Sequence, residues 1–92
     1  MTTSNSNPLV TDREIYGKLT VIFHDVFQDE TIVLRPETSE SDIAGWDSFS
    51  NATLIAAIEK EFAIRFRTAE LQTLHNLRSF AELIRTKLQS RG

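Results

Sequence analysis

Apolar residues recur at helical spacing in three stretches of the chain, and polar segments that break the period lie between them. Ile15, Leu19, Ile22 and Val26 follow one another at steps of four, three and four, which puts them on one face of an α-helix. Tyr16, Phe23 and Phe27 widen that stripe into a core-facing surface. Thr11 or Asp12 can cap this helix, and Glu14 lies in its first turn, where a carboxylate suits the helix dipole. Ala52, Ile55, Ile58 and Phe62 predict a second helix, opened by Asp47 or Ser48, with Phe49, Thr53 and Ala56 on a different side. The pattern breaks from Ala63 to Arg67. Thr68 can then cap a short helical turn through Leu71, and Asn76 can open a last helix. The stripe of that helix is Leu77, Phe80, Leu83 or Ile84, and Leu88, and Arg85, Lys87 and Arg91 sit where cations favour the helix end.

Between the first two helices runs a long polar connection, Gln28 to Gly45, interrupted by Pro36. A loop of this length in a small domain has to pack on the core or carry a function. Its apolar island, Ile32, Val33 and Leu34, is expected to pin part of the loop onto the helices, since a strand there would have no second strand to pair with. Trp46 is expected to anchor the end of the loop on the core rather than cover the mouth between loop and helix. Residues 1–10 lack periodicity and are expected to form a loose tail, leaving a domain over residues 11–90. The expected architecture is an all-α bundle of three main helices plus one short helix, with a long loop between the first and second.

Composition narrows the chemistry. At 92 residues there is one modest core and little room for a sequestered pocket. The absence of cysteine excludes a disulfide scaffold, a cysteine zinc site and a thiol nucleophile of the chain's own. No G-x-S-x-G elbow occurs, and His24 and His75 form no helical ligand pair, so both are expected to be satisfied or solvated and no enzyme activity is expected. The net charge of −3 divides unevenly: four basic and eleven acidic residues up to Glu61 give −7, and six basic and two acidic from Phe62 onward give +4. A partner of the acidic part should present Lys or Arg. A small helix-turn-helix DNA binder could use the basic last third, but the acidic remainder opposes it, so no nucleic-acid partner is expected. No apolar run approaches the roughly 20 residues that cross a bilayer, and the N-terminus lacks a signal-peptide core, so the expectation is a cytoplasmic monomer.

One segment carries more than fold information. Gly45-Trp46-Asp47-Ser48-Phe49-Ser50 runs into a helix that closes on Ala57-Ile58-Glu59-Lys60-Glu61-Phe62. Ile64-Arg65-Phe66, Thr68-Ala69-Glu70-Leu71 and Asn76-Leu77-Arg78-Ser79-Phe80-Ala81-Glu82-Leu83-Ile84 follow. This register resembles acyl carrier proteins and the related carrier domains of polyketide and nonribosomal synthesis, over about residues 11–88. The resemblance implies that Ser48 carries 4′-phosphopantetheine through a phosphodiester, with Asp47 as the adjacent motif residue. It also implies a phosphopantetheinyl transferase and acyl- or aminoacyl-loading enzymes as partners. An acid would ride the arm as a thioester, either between the helices, where Phe23, Ile55, Ile58 and Phe80 could line a cleft, or on the exposed arm; for those four residues core packing is the safer expectation.

On the same resemblance, Phe49, Ala52, Thr53 and Ala56 would form part of the partner surface, and Asp42, Asp47, Glu59 and Glu61 would steer basic partners. The chain departs from the family pattern at Phe49, where Leu is usual, at Thr53, where Glu is expected, and at Lys60. Ala63 stands where Gly is customary, at a cost of about 1 kcal/mol if the site is left-handed. A less acidic, more apolar face implies a dedicated partner set rather than general fatty-acid synthesis. The alternatives are an aminoacyl or peptidyl carrier of a specialised pathway, and an unmodified helical interaction module.

Overall fold

The computed structural model describes residues 11–90. Both the expected tail, 1–10, and Arg91 lie outside the described residues. Four helices follow one another: α1 (Asp12–Phe27), α2 (Ser48–Phe62), α3 (Thr68–Leu71) and α4 (Leu77–Ser90). A single 3-10 turn, Glu40–Asp42, lies inside the long α1–α2 loop, a stretch with no apolar periodicity. The α1 helix packs against both α2 and α4. Its inward residues Ile15, Leu19 and Phe23 are fully buried, as are Leu54 and Ile58 of α2 and Leu77 and Ile84 of α4. Burial of these side chains is the main favourable term holding the bundle together.

The α1 N-terminus is closed by a reciprocal cap. Glu14 N donates to Thr11 Oγ1 at 3.2 Å, and Thr11 N donates to Glu14 Oε1 at 3.1 Å. Thr11 rather than Asp12 is thus the capping residue. At α3 the expectation fails by one position. Arg67 is the N-cap and Thr68 the first helical residue, and the cap is held from the far side by Glu70 Oε1, which accepts from Arg67 N at 2.7 Å. A glutamate three residues into the helix can satisfy the cap amide whatever side chain the cap residue carries.

The α2 stripe also differs from expectation. Ala52 is exposed, and Leu54, Ile55, Ile58 and Phe62 form the buried face. Two successive steps of three each rotate a helical stripe by about 60°, so a line drawn from Ala52 through Ile55 to Ile58 drifts off one face. The expected cleft residues Phe23, Ile55, Ile58 and Phe80 are all core members. On α4, Ile84 is fully buried and Leu83 only partly, which settles that pair.

The long loop is ordered by bonds at both ends. His24 Nε2 lies 2.8 Å from the carbonyl of Ile32. A carbonyl can only accept, so Nε2 carries the proton, and His24 is a satisfied histidine that ties the loop to α1. Ile32 and Leu34 pack on the core, whereas Val33 points outward at 70% exposure, so the apolar island pins the loop through two of its three residues. Further along, Thr38 is buried, and its Oγ1 accepts from Arg35 N at 2.9 Å. The carbonyls of Thr38 and Pro36 accept from Leu77 N and Arg78 N, each at 2.9 Å. These are the first two amides of α4, which have no partner within their own helix. Asn76 Oδ1 takes the third, from Ser79 N at 3.0 Å, so the whole first turn is satisfied.

Ala63 ends α2 with φ 57°, in the left-handed region. Its N–H and that of Ile64 both donate to Glu59 O. A side chain there is strained, and glycine relieves it at some cost in unfolded-state entropy. Ala63→Gly is therefore expected to stabilise the fold by a net of about 0.5–1 kcal/mol, seen as a higher urea midpoint at unchanged m-value.

Candidate functional site at the start of α2

The turn before α2 is set by Gly45, whose φ of 88° only glycine adopts without strain. Trp46 follows with its side chain in the core, at 7% exposure. Its ring meets Phe23 edge-on at 5.2 Å between centroids and lies 6.0 Å from Phe80 and 6.3 Å from Phe27. The indole Nε1–H donates to Asn51 Oδ1 at 2.9 Å. The expected anchoring role of Trp46 is what the packing shows, and the partner Asn51 gave no signal in the sequence.

Asp47 is the N-cap of α2. Its Oδ1 accepts from Ser50 N at 2.9 Å, while Ser50 Oγ accepts from Asp47 N at 2.9 Å and donates to Gly45 O at 2.7 Å. Ser50, absent from the expected site, is thus the residue that closes the turn. The bond from the Ser50 amide, above all, holds the Asp47 carboxyl below its ordinary range. Because the folded form holds its proton less tightly than the unfolded chain, this contribution is present above the ordinary carboxylate range and is lost as the pH falls through the folded value.

Ser48 is the first residue of α2 and is exposed. Its hydroxyl has no hydrogen-bond partner among the described residues. It stands at the helix end where amide N–H groups and the positive dipole favour an anion. Phe49, next along, is 84% exposed, and Ala52, Thr53 and Ala56 are exposed on the same outer side of α2. These five residues form one continuous surface. From Ser48 to Ile58 the helix carries no charged residue at all.

Of the expected acidic residues, Asp47 adjoins this surface as the N-cap, and the other three are engaged in contacts of their own. Asp42 belongs to the 3-10 turn, where its Oδ2 accepts from Ser39 N at 2.9 Å. Glu59 is half-buried, eleven positions along α2 from Ser48, or about 16 Å along the axis. Its Oε2 accepts from Phe66 N at 2.8 Å and holds the α2–α3 connection. Glu61 Oε2 pairs with Lys18 Nζ at 3.0 Å on the surface. His75 is exposed and belongs to none of these contacts. Among the described residues no helix is long and apolar enough to cross a membrane.

An exposed serine hydroxyl, free of internal bonds and backed by helix amides, suits an attached phosphate diester. The arrangement offers a tether and a face beside it, not a set of reacting groups. Residues 17–84 match the family described as the phosphopantetheine attachment site. The chain is also similar to an acyl carrier protein from Geobacter metallireducens, determined in its holo form by solution NMR. The two share 43% identity and superpose with a TM-score of 0.78, over 83% of this chain and 87% of that one.

Proposed function

Because the chain belongs to the acyl carrier proteins, the family built around a phosphopantetheine attachment site, we propose that Ser48 Oγ is the atom to which the arm is joined. A member of this family is a carrier and not a catalyst, and its cofactor is covalent 4′-phosphopantetheine. What supports Ser48 as the tether is its exposed hydroxyl at the first position of α2, uncommitted to any other described residue. Attachment forms the Oγ–phosphorus bond as the pyrophosphate link of coenzyme A breaks; the adenine nucleotide leaves, and the hydroxyl proton passes to the transferase. Ser48 therefore needs access rather than activation. The α2 amide end favours the phosphate charge, and Asp47 holds that end in shape.

When attached, the arm supplies the thiol that this cysteine-free chain lacks, on which an acid is held as a thioester. The chain's own residues present it. Phe49, Ala52, Thr53 and Ala56 make an uncharged contact face beside the tether, and partner enzymes would dock there. Asp47 and the loop acids, Asp42 among them, supply the charge that steers basic partners, with Glu59 and Glu61 contributing at the far end of α2. A phosphopantetheinyl transferase and at least one loading enzyme are the required partners.

Incubation with coenzyme A and a broad-specificity transferase is expected to raise the intact mass by one phosphopantetheine unit, and Ser48→Ala is expected to abolish that gain. An unchanged mass for the wild-type chain with several transferases would favour the unmodified interaction module.

A further inference from the structure

The four aromatic rings beneath the start of α2 bear on where a carried acid can go. An acid tethered at Ser48 could reach the interior past the first turns of α2, and there Trp46 already fills the space. Its indole is nearly fully buried only two positions before Ser48 and is fixed on three sides: edge-on by Phe23, by Phe80, and by the bond from Nε1–H to Asn51 Oδ1 across the first turn of α2. Behind it, Phe23 is 0% and Phe80 2% exposed, and Leu54 and Ile58 of α2 are 0% exposed. Admitting an alkyl chain here means expelling a large ring, breaking its hydrogen bond and disturbing a close-packed core, each of which is unfavourable.

We infer that Trp46 seals the interior below the attachment helix, so that the carried acid stays outside the bundle and is read by partner enzymes instead of being hidden by the carrier. This rests on Ser48 bearing the arm. It also narrows the cargo class. A long alkyl tail left in water is unfavourable in proportion to its apolar area, so the fitting cargo is an acid that is short or carries polar groups along its length.

The test loads the protein from acetyl- and octanoyl-coenzyme A with a broad-specificity transferase. Intact mass checks first that one unit is added and that Ser48→Ala blocks it; failure at that step removes the attachment reading, before any question of where the cargo lies. The loaded forms are then compared by thermal midpoint, by the rate of thioester cleavage with hydroxylamine, and by the emission of Trp46, the one tryptophan of the chain. Acetyl and octanoyl forms are expected to melt together, to be cleaved at equal rates and to share one emission spectrum. An octanoyl form that melts higher, is cleaved several-fold more slowly or shifts the indole emission would overturn the inference. In Trp46→Leu, which opens space at this point, octanoyl is expected to gain protection over acetyl; equal cleavage in that variant would show that Trp46 is not the seal. If the variant does not fold, the wild-type comparison decides alone.

Discussion

Replacing Phe23 by alanine is expected to cost about 3–5 kcal/mol, the range for deleting a fully buried aromatic ring. Phe23 has no exposed surface and lies 5.7 Å from Phe27 and 5.2 Å from Trp46, so the cavity would open at the meeting point of α1, the loop end and α2. A domain of this size holds about 5–14 kcal/mol in all, so the loss would take a large fraction of the total. Urea unfolding followed by far-UV circular dichroism measures it as a lower midpoint. Phe23→Leu, which keeps most of the volume, is expected to lose markedly less. The geometry at the start of α2 is coupled to this packing, because the ring that Phe23 supports is the one bonded to Asn51 in that helix. An equal loss in the two variants would show that the site does not depend on filling that space.

The second expectation concerns the loop. Thr38→Val keeps the shape of the side chain and removes the oxygen that accepts from Arg35 N. That amide is only part-buried, so water can recover some of the lost bond, and a destabilisation of about 1–2 kcal/mol is expected. Hydrogen exchange would distinguish this local effect from general weakening. The amides of Leu77 and Arg78, which donate to the Thr38 and Pro36 carbonyls, should exchange faster in the variant even where α1 amides do not. If only the α1 amides responded, the loop would not be what holds the first turn of α4.

The helices were legible because burial imposes a period that side chains display. Thr11 and Asn76 are readable as candidate caps from residue type and position, but the choice of Thr11 over Asp12 and the bonds to Glu14 and Ser79 come from the structure. What escaped has a common cause. The loop docks on α4 largely through backbone carbonyls, and a carbonyl leaves no mark on residue type. Asn51 and Ser50 act across a turn whose shape is fixed by Gly45 and Trp46, so neither reads as special without the fold. Ala52 is ambiguous by type because a small apolar residue fits either side of a helix, and Leu54 is masked by the more regular Ile55 and Ile58. Asp47 and Ser48 could be located as a helix opening from their types, but the meaning of Ser48 came from the long register around it and not from the dipeptide. By type Glu59 reads as a charge for steering partners, because nothing in its neighbourhood announces the Phe66 amide seven residues on.

The debt of α4 to Pro36 and Thr38 has a consequence for how the molecule tolerates change. The closing helix begins on atoms contributed from mid-chain, so its start is a long-range junction rather than a property of its own sequence. An extra residue inserted between Arg35 and Thr38 would shift both carbonyls out of register and unseat a segment some forty positions downstream. Inserted instead among the exposed residues Glu30 and Thr31, the same residue would leave that junction in place. Natural length variation in such a connection should accordingly gather at its beginning.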